Sequence, residues 1–503
     1  MGIVSRRTGG LAGLSLVATT GLLGSYVGYP GLRRAHGVTA CPAVTTGGDQ
    51  TSLNTALAAV EAGNCDFISI PAGTVTLNGS LTTLNNKTVT IEGQGEGTTT
   101  IDGDGTHGGF EFLGGNISIS SLTVRNATRD EGAALLARGG ANLTVSDSTF
   151  SGNSATEYGG AIFVNGGGDL EITNSTFSSN TADYYDVDSG DYVGEGGAVY
   201  FEGTGAVTIT GSTFTDNVGY DYGGAIWMRA SGPLTISNSY FGRNQVDEES
   251  GGAIFRTGGG TSTVTASTFV DNYSANDGGA IYARGGSSAS FTVQSSTFRE
   301  NSSDDNGGAI SIAVSSPLTV RNSTFDSNDA VGDGGAIAND YGGATAVTNS
   351  TFSGNSAGEE GGAVCVRDTN GSATLDFVTV SGNTTSGVSS AAVDSAGSLT
   401  VTNSIVSNAS GGDVQGASVT LSHSLLGTYA GTAPSSVIVG EDPLLGALAN
   451  NGGSTLTMMP GAGSPVLGAA NPAGAPATDQ RGYTRTTNGR ADMGAVERLG
   501  VPP

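Results

Sequence analysis

Short runs of alternating apolar and polar residues recur along most of the chain and are separated by Gly, Asn, Asp and Ser. Typical runs are Ala-Ile-Phe-Val from Ala161, Leu-Glu-Ile-Thr from Leu170 and Ala-Val-Thr-Ile-Thr from Ala206. They span four to six residues and are rich in β-branched and aromatic side chains, which is typical of β-strands. Nothing in this region sustains a helical period. The pattern therefore predicts an all-β fold.

Two short motifs alternate through this region at a fixed period. A Gly-Gly-Ala-Ile-like turn occurs nine times, in steps of 27, 37, 27, 28, 27, 29, 27 and 27 residues, and begins at Gly132, Gly159, Gly196, Gly223, Gly251, Gly278, Gly307, Gly334 and Gly361. A fixed period of this length indicates one supersecondary unit stacked on itself. Three short strands and three tight turns in each period predict one winding of a parallel β-helix.

A Phe-x-x-Asn motif lies midway between most of these turns. Its aromatic members are Phe150, Phe177, Phe214, Phe241, Phe269, Phe298, Phe325 and Phe352. Stacked windings lie about 4.8 Å apart. These rings should therefore form an interior ladder, in which burial of each contributes roughly 1.5–3 kcal/mol. The asparagines three residues later should form a second ladder, with every amide hydrogen-bonded.

The paired GGA(I/V) and F-x-x-N motifs resemble the repeat of the chlamydial polymorphic membrane proteins from about Gly132 to Asn383. The resemblance implies a surface-exposed or secreted β-helical domain, and several members of that family are adhesins. The right hand that it implies agrees with the general preference of parallel crossovers. We therefore expect a single-stranded right-handed parallel β-helix, a pectate-lyase-like solenoid of about a dozen coils, over residues 67–431.

The first 37 residues resemble an export signal. Arg6 and Arg7 precede an apolar run from Leu11 to Val27, which is too short and too Gly-rich for a typical membrane span. The protein is therefore expected to be secreted or displayed on the cell surface. Any contact with a membrane is expected only through this signal or through an anchor.

Residues 38–66 are predicted to cap the front of the solenoid. A helix over Asp49–Ala62 should cover the open end, which otherwise exposes unpaired strand edges. Cys41 and Cys65 are expected to form a disulfide, as an exported protein permits. The alternative is that Cys41 carries a lipid, because Val38–Cys41 resembles a lipoprotein box.

The period is lost from about residue 432. The segments that follow include Asp442-Pro-Leu-Leu-Gly, Asn451-Gly-Gly-Ser-Thr, Asp479-Gln-Arg-Gly and Asp492-Met-Gly-Ala-Val-Glu. This series is similar to the choice-of-anchor Q domain of bacterial surface and secreted β-helix proteins. We expect residues 432–503 to form a C-terminal cap.

Composition narrows the classes of partner. The 503 residues include 85 glycines, and the formal net charge of −26 at pH 7 should repel nucleic acid and anionic lipid. We expect a monomer without a nucleic-acid partner. The three histidines form no metal-ligand cluster, and no nucleophile elbow or phosphate loop is present. The sequence therefore names no catalytic residue.

Alternation along the strand after each Gly-Gly turn predicts a ligand surface. The third and fifth positions are mostly apolar, so the fourth and sixth should point outward. The fourth positions form an aromatic stripe: Phe163, Tyr200, Trp227, Phe255 and Tyr282. The sixth positions add charged side chains, including Glu202, Arg229 and Arg284. Exposed rings beside such groups would form a platform for sugar rings. The alternative is that the rings pack beneath the insertion between Asn180 and Gly196 and only add stability.

An acid lies one or two residues before each of the nine turns and suggests divalent cations: Glu131, Glu157, Glu195, Asp221, Glu249, Asp277, Asp305, Asp333 and Glu360. Carboxylates about 4.8 Å apart repel one another, and Ca²⁺ would bridge such oxygens, although solvated acids would also suffice. The strongest local Ca²⁺ candidate is Asp186, Asp188 and Asp191, whose spacing is not that of an EF-hand. Ca²⁺ is thus the one candidate cofactor.

Three functions remain open from sequence. The preferred one is a non-catalytic, adhesin-like module that binds an extracellular polysaccharide or a host or cell-surface glycan along the stripe. The second is a polysaccharide lyase or glycoside hydrolase acting on acidic polysaccharide, which would need paired carboxylates or a base with a cation. The third is a purely structural envelope protein.

Overall fold

The computed structural model describes residues 39–186, 191–285, 289–313, 315–387, 390–486 and 489–502. The predicted signal, residues 1–37, lies outside them. The described chain forms a parallel β-solenoid of about 13 windings, as predicted. Each winding adds strands to three long parallel sheets, so that residues one repeat apart become neighbours.

The first sheet follows the Gly-Gly turns. Its strands are Phe67–Ser69, Leu84–Glu92, Phe110–Ser120, Leu135–Arg138, Asn142–Ser146, Ile162–Asn165, Leu170–Thr173, Val199–Gly203, Val207–Thr210, Ile226–Ala230, Leu234–Ser237, Ile254–Thr257, Thr261–Thr265, Ile281–Arg284, Ser290–Gln294, Ile310–Ile312, Leu318–Arg321, Ile337–Asn339, Ala344–Thr348, Val364–Val366, Ser372–Asp376, Val393–Thr402 and Val414–Ser422.

The second sheet carries the phenylalanines of the Phe-x-x-Asn motif. Its strands are Gly48–Asp49, Gly73–Thr76, Thr99–Asp102, Thr123–Arg125, Thr149–Ser151, Thr176–Ser178, Thr213–Thr215, Tyr240–Gly242, Thr268–Val270, Thr297–Arg299, Thr324–Asp326, Thr351–Ser353, Thr379–Ser381, Ile405–Ser407, Leu425–Leu426 and Ile438–Val439.

The third sheet is made of short strands that lead into the next turn. They are Thr128–Glu131, Ser154–Tyr158, Thr181–Ala182, Val218–Gly219, Gln245–Val246, Tyr273–Ser274, Ser302–Ser303, Asp329–Ala330, Ser356–Ala357 and Thr384–Thr385. Most repeat windings thus contain four strands, whereas the sequence predicted three. The first sheet bends between two strands of each winding, and the longer Phe110–Ser120 and Val393–Thr402 run through the bend.

The interior contains the two predicted ladders. All eight phenylalanines of the motif are 0% exposed, and the rings of Phe214 and Phe241 stack at 4.8 Å with an interplanar angle of 3°. The asparagines are equally buried and bond to one another from winding to winding. At the corner, Gly223 has a φ of +64°, and a Cβ there would lie 2.3 Å from the carbonyl oxygen of Ile226. The turn motif therefore requires glycine.

The front of the solenoid is covered by one helix. It spans Thr51–Glu61, slightly shorter than predicted, and buries Leu53, Ala56, Leu57 and Val60. Oδ1 of Asp49 accepts a hydrogen bond from the Thr51 amide. A disulfide joins Cys41 to Cys65. It ties the segment before the helix to the loop after it.

The C-terminal segment does not simply close the rear end. It turns back and packs along the second sheet, where Gln480 donates to Oγ1 of Thr324 and accepts from Oγ1 of Thr351. Further along, the amide of Ala495 donates to Oγ1 of Thr379. Much of this segment thus covers the flank, where the row of threonine hydroxyls offers hydrogen-bond partners, and its role as a C-terminal cap stays a prediction.

The winding of 37 residues, which begins at Gly159, has its additional residues in a hairpin outside the three parallel sheets. Tyr184–Asp186 and Asp191–Val193 pair as an antiparallel hairpin. Before it, the Asp183 amide donates to the carbonyl of Ala155, and after it the Glu195 amide donates to that of Glu157. The insertion therefore leaves the regular hydrogen bonds in place on both sides.

Candidate functional site

The predicted aromatic stripe is a row on consecutive windings. Phe163 pairs with Tyr200, Tyr200 with Trp227, Trp227 with Phe255, and Phe255 with Tyr282 as backbone neighbours. Consecutive ring centroids are 5.0, 4.4, 6.3 and 5.3 Å apart. The rings form a hydrophobic cluster separate from the solenoid core. They lie on the outer face of the first sheet, as alternation predicted.

The predicted exposure of the stripe is wrong. The five side chains are only 3–8% exposed. Tyr158 lies over Tyr200 at 4.7 Å and over Phe163 at 6.2 Å, while Tyr222 lies over Phe255 at 4.4 Å. These tyrosines lean across from the preceding turn, so the five rings are a buried layer. An arriving sugar ring would meet the two covering tyrosines first.

Tyr158 and Tyr222 are surface residues that the sequence analysis missed, and Glu195, one of the acids that precede the turns, lies between them. They occupy the last position before the turn on three consecutive windings, joined by backbone bridges. All three are partly exposed. The sequence did mark the two tyrosines, because the last position before the turn alternates between an acid and a tyrosine on these windings. The acids are Glu131 and Glu195.

The three ionisable side chains of this surface all have raised pKa values. Burial, with a further contribution from Asp221, raises the pKa of Glu195 from 4.5 to about 7. Burial also raises the pKa of Tyr158 and of Tyr222. Glu195 is therefore substantially protonated at neutral pH and offers both a donor and an acceptor beside two aromatic faces.

The predicted charged partners Glu202 and Arg229 flank this surface. Their side chains approach to 3.7 Å and are 37% and 64% exposed. Glu202 also accepts a hydrogen bond of 3.0 Å from Asn165. An exposed pair at this distance contributes little to stability, so both groups are available to a ligand. Arg284 is likewise exposed but lies two windings beyond Arg229.

One donor within the buried layer has no partner. Nε1 of Trp227 is buried without a hydrogen bond to any described residue, and Trp227 is 5% exposed. A buried donor without an acceptor is energetically unfavourable.

The predicted Ca²⁺ candidate is only partly within the described residues. The hairpin sets the backbones of Asp186 and Asp191 opposite one another. Asp188 lies outside the described residues, so binding of Ca²⁺ at these three aspartates stays a prediction. Within the described part of the chain, no helix has the length and apolar character needed to cross a membrane.

Comparison with known families supports the fold. A family model described as right handed beta helix region matches residues 160–352. The model of the Chlamydia polymorphic membrane protein repeat matches residues 147–165 and 349–367. The similarity of residues 432–503 to the choice-of-anchor Q domain stays a prediction. No curated protein matches the chain.

A solved structure to which the chain has a weak similarity is the catalytic unit of a thermostable GH87 alpha-1,3-glucanase from Streptomyces thermodiastaticus strain HF3-3. It is 16% identical, with a TM-score of 0.42, over 81% of this chain and 68% of that chain. At this level of similarity, the match carries no argument about activity. The central windings thus match a right-handed β-helix that contains polymorphic-membrane-protein repeats.

Proposed function

We propose that the protein is an exported, surface-type β-helix that binds a glycan on the outer face of the first sheet. The site is centred on Tyr158, Glu195 and Tyr222. The observation that carries this proposal is the pair of partly exposed tyrosine rings stacked on a buried aromatic layer, next to the exposed Glu202–Arg229 pair. Aromatic faces bind the apolar faces of sugar rings, while carboxylates and guanidinium groups bind hydroxyls.

The polymorphic membrane protein repeats support the exported, surface-type part of this proposal. The adhesin-like role is proposed from the same resemblance, and a host or cell-surface glycan is proposed as the partner from the tyrosine rings and the charged pair beside them. Secretion or surface display is proposed together with them. A monomer suffices, because every residue of the proposed site comes from one chain.

The single tryptophan provides a direct test. Because Trp227 is the only one in the chain, its fluorescence reports on this surface without background. Titration with oligosaccharides from a glycan array should shift the emission in the wild type, and Tyr222→Ala should weaken the binding. Tyr240→Ala is the matched control, because Tyr240 is partly exposed and lies on the second sheet.

Equal binding by the wild type and Tyr222→Ala would refute the proposed site. If no glycan binds the wild type, the remaining function is that of a structural envelope protein. Binding that is lost equally in Tyr240→Ala would assign the ligand to another surface.

A glycoside hydrolase is the second candidate, and Glu195 is the observation that favours it. A carboxyl group with a pKa of about 7 suits a general acid, and Glu202 would supply the second carboxyl group of the pair. Release of reducing ends from polysaccharides would support this function. Glu195→Gln should then abolish turnover and retain the fluorescence change. Assays of acidic polysaccharides for unsaturated products, with and without Ca²⁺, test the lyase alternative.

A further inference from the structure

Beyond the aromatic layer, the fourth position after the turn changes character. Small side chains follow at Ser311, Ala338 and Cys365, and Asp394 takes this position on the next winding. All four are at most 3% exposed. This part of the first sheet thus departs from the pattern of the preceding five windings. A thiol and a carboxylate are therefore neighbours at positions that hold aromatic rings on the earlier windings.

Two acids from neighbouring turns approach the thiol. Carboxylate oxygens of Asp333 and Glu360 and Sγ of Cys365 all lie within 4.8 Å of one another. Asp333 is 4% exposed and Cys365 is 1% exposed, whereas Glu360 is exposed. Asp333 and Cys365 are therefore held in place by the residues packed around them, whereas the exposed side chain of Glu360 can move.

Asp394 supplies an independent observation. It is 3% exposed, and its Oδ2 has no hydrogen-bond partner among the described residues. Asp394 is the backbone neighbour of Cys365 in the parallel sheet and occupies the same outward position. Its carboxylate therefore points to the side of the sheet where the thiol lies. A buried carboxylate oxygen without a partner is costly unless a cation or a donor reaches it.

Positive charge is scarce at this cluster. Nε of Arg367 lies 2.9 Å from Asp333, and its Nη1 lies 3.6 Å from Asp340. The single guanidinium group of Arg367 thus pairs with both of these aspartates. Glu360 and Asp394 add two further carboxyl groups to the cluster. Oδ1 of Asp340 has no hydrogen-bond partner among the described residues. The cluster can therefore accept additional positive charge.

We infer that this cluster binds a divalent cation of the zinc class, with Asp333, Glu360, Cys365 and Asp394 as ligands. A thiolate beside carboxylates suits borderline-soft ions, whereas Ca²⁺ and Mg²⁺ prefer oxygen alone. Binding releases the thiol proton to solvent as the metal–sulfur bond forms. Ligand atoms about 2.0–2.3 Å from a tetrahedral ion lie about 3.5 Å apart. Asp333, Glu360 and Cys365 must therefore close by about 1 Å, mainly through the exposed Glu360, and the carboxylate of Asp394 must turn towards them.

The ion would act as a clamp on the solenoid. Its ligands come from three consecutive windings, two through turns and two through strands. Because the ion binds the folded chain and its site is not preformed in the unfolded one, it should stabilise this part of the repeat.

Cobalt titration of the full chain, followed by zinc competition, tests the site. We expect one equivalent of Co²⁺ to produce a thiolate-to-cobalt charge-transfer band, which Zn²⁺ abolishes. Cys365→Ser should lose the band, and Asp394→Asn should weaken binding. Asp305→Asn, which removes an exposed acid one winding before Asp333, should bind like the wild type. Zinc should also raise the Tm of the wild type and not that of Cys365→Ser.

X-ray absorption of the zinc-loaded wild type gives a result that does not depend on the folding of any variant. One sulfur ligand with oxygen ligands supports the assignment. An all-oxygen shell, binding unchanged in both Cys365→Ser and Asp394→Asn, or no binding by the wild type would overturn it.

Discussion

The side-chain amide of Asn217 donates a hydrogen bond of 2.9 Å to Oδ1 of Asn244 on the next winding, and both side chains are fully buried. Asn217 also donates to the backbone carbonyl of Phe177 at 3.1 Å. Each asparagine thus links three windings, because it accepts from one neighbour and donates to the next. The buried polar row is therefore satisfied by repetition of the same contacts.

Interrupting this row should be costly. In Asn244→Ala, the backbone N–H of Asn217 loses its acceptor and the carbonyl of Phe214 loses its donor. Leaving two buried groups unsatisfied should lower the free energy of unfolding by about 2–4 kcal/mol. Asn142→Ala, in an exposed asparagine contact of 2.8 Å to Asn116, should cost about 1 kcal/mol or less. Urea unfolding of both variants measures the difference, and equal losses would contradict it.

Glu195 should make stability depend on pH. Its pKa rises from 4.5 to about 7 in the folded chain, so the unfolded chain releases this proton first. The free energy of unfolding should therefore fall as pH rises from about 4.5 to 7, by roughly 2–3 kcal/mol. Glu195→Gln should lack this loss and gain relative stability over that range. Glu157→Gln, which alters an exposed acid, should follow the wild type. Parallel curves for all three proteins would refute the assignment.

The disulfide should stabilise the front cap. It closes a loop with a sequence separation of 24 residues. For a loop of this size, its loss should lower the free energy of unfolding by about 3 kcal/mol. The double variant Cys41→Ser/Cys65→Ser should therefore melt earlier under oxidising conditions. Addition of reductant should lower the Tm of the wild type to that of the double variant. Mass spectrometry of the exported protein would distinguish this bond from a lipid on Cys41.

The C-terminal segment should detach when Gln480 is removed. Its Nε2 bonds to Thr324, Thr455 and two backbone carbonyls, and its Oε1 accepts from Thr351. We expect Gln480→Ala to increase the rate of limited proteolysis within residues 432–503, with the solenoid left intact. The exposed Gln415 gives the control Gln415→Ala. Mass spectrometry of the fragments identifies the cut sites, and equal cleavage of both variants would exclude docking through Gln480.

Repetition explains why much of the fold could be predicted from sequence. Each phenylalanine and asparagine of the motif contacts the equivalent residue of the next winding. The repeat period in the sequence therefore identifies which residues are in contact. The fourth strand of each winding was missed because strands such as Val218–Gly219 are too short to show alternation. The position of Gln480 could not be predicted, because its contacts cross 129–157 residues without a shared period.

The candidate site, too, could be predicted only in part from the sequence. The register of Tyr200 and Trp227 followed from the turn motif, whereas their burial depends on how Tyr158 and Tyr222 tilt across the sheet. Alternation predicts the face on which a side chain lies and not what covers it. The same register places Cys365 at the fourth position after Gly361. Its neighbour Asp394 was missed because the turn motif is lost in that winding.

The winding of 37 residues has a consequence for how such a chain can change. Across it, Phe177 and Phe214 still stack at 4.7 Å, and Asn180 still bonds to Asn217 at 2.9 Å. Ten additional residues at this corner therefore leave the neighbouring layers undisturbed. Loop length adds little entropic penalty once both ends are held. The same corner should accept grafted epitopes or reporter peptides, and it offers evolution a position for acquiring new surface loops without refolding the scaffold.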